Sequence, residues 1–142
     1  MNQTALLSPL RRMALMLVDA LNQPSRPARL GGAALAALLV VNVLWQGAQP
    51  YAVGLVPGGW DKLAHATLHA VLCTCLLFSL GLRRGLVAVL LCAAFAALDE
   101  FAQYFSPGRS VSVMDWLASV AGAGAAWAGA HALVASVAGR PA

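Results

Sequence analysis

A chain of 142 residues with 61% hydrophobic side chains, 10% charged ones and a mean hydropathy of +0.76 is too apolar for an ordinary water-soluble domain. Its length suits one small membrane domain. The net charge of +4 comes from basic residues that flank apolar runs without forming a stripe interleaved with aromatics, which argues against a nucleic-acid surface and for membrane orientation.

Ser8 followed by Pro9 is a strong helix start, a capping hydroxyl with proline in the first helical position. Leu10, Met13, Ala14, Leu17, Val18 and Leu21 then share one face and Arg11, Arg12, Asp19 and Asn22 another, the pattern of an amphipathic helix lying in the membrane interface. A secretory signal fits less well, because Asp19 interrupts the apolar run and no small-residue cleavage site precedes Pro24 and Pro27. Gln23 to Arg29 reads as a linker.

Four apolar stretches of about 20 residues follow, each sufficient to cross ~30 Å of hydrocarbon: Leu30 to Gln49, Asp61 to Leu82, Gly85 to Phe105 and Val113 to Ala138. The connection from Pro50 to Trp60 is rich in proline and glycine, and the other two are short enough to be tight hairpins. The expected fold class is all-α: a four-helix transmembrane bundle with a short N-terminal amphipathic helix, residues 1–29 forming the cytoplasmic helix and linker and 30–142 the four-span domain. Cys73, Cys75 and Cys92 fall inside spans and read as packing residues. Arg11, Arg12, Arg26, Arg29, Arg83, Arg84 and Arg140 fall on one side of the bundle, and only Lys62 and Arg109 on the other. That bias places both termini in the cytoplasm and the two other connections outside.

The segment LDEFAQYFSPGRSVSVMDWLAS, from Leu98 to Ser119, is where ionisable groups interrupt the apolar pattern. Such groups at membrane depth are costly and persist when they pair, line a wet cavity or do chemistry. Alternating helix direction brings the start of the second span, the end of the third and the start of the fourth to the same outer end. Asp61, Lys62, His65, His69, Asp99, Glu100, Gln103, Arg109, Ser112 and Asp115 therefore converge. Asp61, His65 and His69 recur every four residues on one face, and Asp99 and Gln103 do the same. Structural readings compete. Asp61 and Lys62 equally suit a helix start, Ser112 with Asp115 resembles a capping box, and Ser106 to Arg109 has proline and glycine where a type II turn needs them. Asp99 and Glu100 lie too far from a helix start for capping, so Arg109, projecting back from the short turn, is expected to pair bidentately with one of the acids. His131 lies about 24 Å of helix beyond Asp115 and cannot join them. Ser119, Gly122, Ala126 and Gly129 read as a small-residue packing seam.

Asp61, Lys62 and His65, then Asp99, Glu100, Gln103 and Phe105, then Pro107, Gly108, Arg109, Ser112, Asp115 and Gly122, stand in an order and spacing that resembles the VanZ-like membrane proteins over about Asp61 to Ala126. The resemblance implies the cell envelope and, by the family's name, resistance to the glycopeptide teicoplanin; it supplies no reaction. His69 stands where the family more usually has an aromatic, and Ser119 where it has asparagine.

The leading expectation is an outward polar pocket that binds an envelope component: a lipid head group, a lipid-linked sugar or a glycopeptide. In it Lys62 and Arg109 hold an anionic group, His65, Gln103 and Ser112 orient it, and Asp61, Asp99, Glu100 and Asp115 complete the ligand-binding set. The expected partners are membrane lipids and an anionic envelope lipid or lipid-linked glycan, with no cofactor and no nucleic acid. The alternative is a membrane hydrolase or transferase with Asp99 or Glu100 as base and His65 as acid, or a metal-assisted version using His65, His69, Asp99 and Glu100. An assembly subunit and a transporter are less favoured, since static buried ion pairs are a costly way to hold helices and nothing polar lines the cytoplasmic half.

Overall fold

Five α-helices form the regular structure of the computed structural model, which describes residues 9–49, 56–57 and 60–139. They are α1 (Pro9–Asn22), α2 (Arg26–Gly47), α3 (Asp61–Leu80), α4 (Gly85–Gln103) and α5 (Val113–Ala138), with a 3-10 turn at Leu82–Arg84 leading into α4. No strand occurs among the described residues. The Ser8 cap, Arg140 and the Pro50 to Trp60 connection apart from Val56, Pro57 and Trp60 lie outside them.

One boundary departs from expectation for a local reason. Ser25 accepts a hydrogen bond from the Ala28 N–H at 3.4 Å and proline follows in the first turn, so α2 begins at Arg26 and the linker shrinks to Gln23–Ser25. Ser-x-Pro is a helix start, and Arg26 and Arg29 belong to the first turn of α2. At the other boundaries α3 stops at Leu80, two residues early, and α4 at Gln103. Beyond Gln103 the N–H groups of Tyr104, Phe105 and Ser106 each bond three residues back, so the chain tightens and leaves the helix.

What the bundle buries decides where it lives. In the most apolar 18-residue window of α2, α3, the third span and α5, 11%, 22%, 39% and 17% of residues are buried, so most of the apolar surface has no protein cover. Leu35, Leu38, Val71, Leu90 and Leu117 point outward while His69, Asp99, Glu100, Gln103, Asp115 and Ser119 are buried. Polar inside and apolar outside is the arrangement a bilayer requires. The four long helices are a multi-pass membrane bundle, and α1 carries Leu10, Met13 and Met16 uncovered beside them, as an interfacial helix does. Within it α3 packs most extensively on α5 and also on α2, while α4 closes against α5 and α3.

The packed middle is small. Leu72, Cys73, Leu77, Ala88, Cys92 and Ala123 form its buried core, and all three cysteines are free thiols. His131 is exposed and stacks edge-on to Trp127 at 5.5 Å, apart from the polar cluster.

Candidate functional site

Antiparallel packing brings the ends of α2 and α4 and the starts of α3 and α5 around one cavity of about 430 Å3. Asp61 and His65 of α3, Asp99 and Gln103 of α4, Arg109 of the α4–α5 turn and Asp115 of α5 all line it. The fourth wall is α2, through Asn42, Gln46 and Gly47. The sequence-based site did not include Asn42 and Gln46, although their spacing of four in a largely apolar helix was an available signal.

The charges are organised by a few bonds. Lys62 Nζ meets Asp115 Oδ1 at 3.1 Å, and Asp115 is further ordered because Ser112, the N-cap of α5, accepts its backbone N–H at 3.2 Å. His65 is held on both ring nitrogens: Nε2 lies 3.8 Å from Asp61 Oδ1, and Nδ1 lies 3.4 Å from the Ser119 hydroxyl. Ser119 thus belongs to the polar cluster as well as to the packing seam. On α4, Gln103 Nε2 donates to Asp99 Oδ2 at 3.2 Å.

Glu100 has a role that sequence reasoning had dismissed. Its Oε2 accepts the Ser112 backbone N–H at 2.7 Å, so a carboxylate from α4 does for α5 what the third-position Glu of a capping box would do within one helix. The other oxygen, Oε1, is buried without a partner among the described residues. Glu100 therefore fixes the start of α5 and keeps one unused acceptor. The turn between them has the expected type II character, with Arg109 N–H bonded to the Ser106 carbonyl at 3.1 Å and Gly108 at φ +82°, a conformation glycine tolerates without strain.

Arg109 does not pair with the acids. Its Nη1 donates to the Gly47 carbonyl at 3.4 Å, and among the described residues no carboxylate oxygen lies within 4 Å of the guanidinium. The reason is competition: Lys62 already neutralises Asp115, the Ser112 N–H occupies Glu100, and Gln103 serves Asp99. The guanidinium instead bridges the turn to the end of α2 and lines the cavity.

Two sets of potential metal ligands share His65: Asp61, His65 and Asp115, and His65, Asp99 and Glu100, each with donor atoms within 4.8 Å of one another. His69 belongs to neither set. It is fully buried, its Nδ1–H donates to the His65 carbonyl at 3.0 Å, and its ring lies 5.7 Å from Phe95, so the expected grouping of His65, His69, Asp99 and Glu100 is not assembled. Three other expected residues, Lys62, Glu100 and Ser112, do not line the cavity but bond to residues that do or to the start of α5.

No curated protein and no solved structure matches the chain. The VanZ/LLP1 family model does, over residues 5–134, which extends the likeness from the polar cluster back through α1 and forward almost to the end of α5. With the ordered residues from Asp61 to Gly122 gathered at one end of a four-span bundle, the chain belongs to the VanZ/LLP1 family.

Proposed function

We propose that the cavity binds the phosphorylated polar head of a cell-envelope lipid, of the lipid-linked sugar class, at the outer face of a bacterial inner membrane. The observation that carries this reading is Arg109, a guanidinium lining the cavity with no carboxylate within 4 Å among the described residues. It is the natural partner of a phosphate oxygen. Around it Asp61, Asp99 and Gln103 supply acceptors for sugar hydroxyls, so the lining suits a ligand that carries both an anion and donors. The volume, about 430 Å3, is that of a small-molecule site. A glycopeptide such as teicoplanin is several times larger and would insert only one part, so antibiotic resistance on this reading acts through the envelope lipid. Lys62, bound to Asp115, orders the pocket wall and leaves anion binding to Arg109.

Native mass spectrometry of the purified protein tests the reading together with Arg109→Ala. The wild type should carry a phosphorylated lipid that Arg109→Ala lacks, with a loss of stability no greater than about 1 kcal/mol, the usual net worth of one hydrogen bond. Equal lipid occupancy in both proteins would refute the role given to Arg109. A stoichiometric transition metal, lost in His65→Ala, would instead favour a metal-assisted hydrolase, for which the two ligand sets sharing His65 speak.

The outward orientation rests on the excess of arginine at the opposite end. Cysteine at exposed Ser110, in a chain lacking Cys73, Cys75 and Cys92, should react with an impermeant thiol reagent in intact cells, and cysteine at Gly139 should react only after lysis. Reversed labelling would move the pocket to the cytoplasmic face.

A further inference from the structure

At the end of the bundle opposite the polar cluster, a second cavity of about 750 Å3 is walled by Arg29, Arg83 and Arg84 together with Asn22 and Gln23. It is a constructed corner. Pro24 is buried between α1 and α2 and packs against Gly81, where a Cβ would meet its ring at 3.4 Å, and Leu21 and Leu82 are buried beside it at 5% and 4% exposure. The turn Leu82–Arg84 is closed by the Arg84 N–H bonding to the Gly81 carbonyl at 3.0 Å, which fixes the backbone from which both arginines project. Arg29 is oriented separately. Its Nε donates to the Pro24 carbonyl at 3.0 Å, leaving both terminal NH2 groups of the guanidinium for another acceptor.

Among the described residues no acid supplies that acceptor. Of five acids, Asp61, Asp99, Glu100 and Asp115 lie at the far end, and Asp19 alone belongs to this one. Among the described residues no carboxylate oxygen comes within 4 Å of Arg29, Arg83 or Arg84. Three like charges held around one cavity repel, and an anion with several oxygens relieves that repulsion while accepting hydrogen bonds from all three. The corner lies at the level of α1, whose uncovered Leu10, Met13 and Met16 mark the membrane interface, the depth of lipid phosphates. We propose that this corner is a binding site for the phosphate of an anionic phospholipid head group, distinct from the polar cavity at the other end.

The full-length protein in detergent is the material for the test, with thermal unfolding followed as phosphatidylglycerol, phosphatidylcholine or inorganic phosphate is added. Phosphatidylglycerol should raise the melting temperature and phosphatidylcholine should not. Each arginine near an anionic head group is worth about fivefold in affinity. Arg83→Gln with Arg84→Gln should therefore weaken the phosphatidylglycerol response on the order of 25-fold, both side chains being exposed and dispensable for packing. Arg12→Gln, exposed on α1, removes charge without touching the corner and should leave the response intact. A response to inorganic phosphate of the same size, lost in the double variant, would keep the phosphate site and assign it to a soluble phosphate. Equal responses to the two lipids, or an Arg12→Gln loss as large as that of the double variant, would overturn the proposal.

Discussion

Gly122→Val should separate α3 from α5 and destabilise the bundle by about 3 kcal/mol, at the upper end of what overpacking costs. A Cβ at Gly122 would overlap the carbonyl group and Cα of Ala66, so the clash is with backbone that no rotamer change can relieve. The damage should also reach the site. Ala66 adjoins His65, and Gly122 lies one turn beyond Ser119 and two beyond Asp115, so the His65–Ser119 and Lys62–Asp115 bonds cross the same helix pair. Gly129→Val is the control, since nothing lies within 4 Å of its Cβ position. Thermal unfolding in detergent should show a large drop for the first and almost none for the second; equal melting temperatures would mean that α3 and α5 do not approach this closely.

Glu100 should act on the cavity only through the fold, since it fixes the start of α5 and does not line the cavity. Glu100→Ala deletes the acceptor of the Ser112 N–H and should cost about 2 kcal/mol by leaving that donor unpaired at the start of α5. Glu100→Gln keeps an acceptor of the same shape and should stay within about 1 kcal/mol of wild type. Because Glu100 does not line the cavity, lipid occupancy in native mass spectrometry should fall in Glu100→Ala, where the start of α5 loses its anchor, and stay near wild type in Glu100→Gln. A tenfold loss of lipid in a stable Glu100→Gln protein would overturn this and give the Glu100 charge a part in binding.

The spans were legible because their apolar runs are broken by Pro50, by Arg83 and Arg84, and by the Ser106 to Arg109 turn, and because alternating direction then gathers the charged ends without further information. Partner choice was not legible. Whether Lys62 or Arg109 reaches Asp115 depends on side-chain reach across two helices, and Lys62, one residue into α3, faces α5 at 3.1 Å while the turn aims Arg109 at Gly47. Glu100 as a cap was hidden for a related reason. Ser112 is followed at its third position by Asp115, too short to reach back, and the carboxylate that completes the motif comes from twelve residues earlier in the chain. Periodicity could not decide the place of His69: it shares a helical face with His65, but its ring turns back to the His65 carbonyl and packs on Phe95.

Below the polar cavity the interior closes with Leu72, Cys73, Leu77 and Cys92, each at most 2% exposed, and among the described residues no buried polar side chain lies beyond them toward the arginine-rich end. The molecule is in that sense a cup and not a pipe. On the proposed function a ligand would enter and leave at the outer end, so occupant and newcomer would compete for the same opening. If the cavity holds an envelope lipid as proposed, that lipid would be drawn from one leaflet alone, and a change in composition across the membrane would reach the cavity only after lipid had flipped.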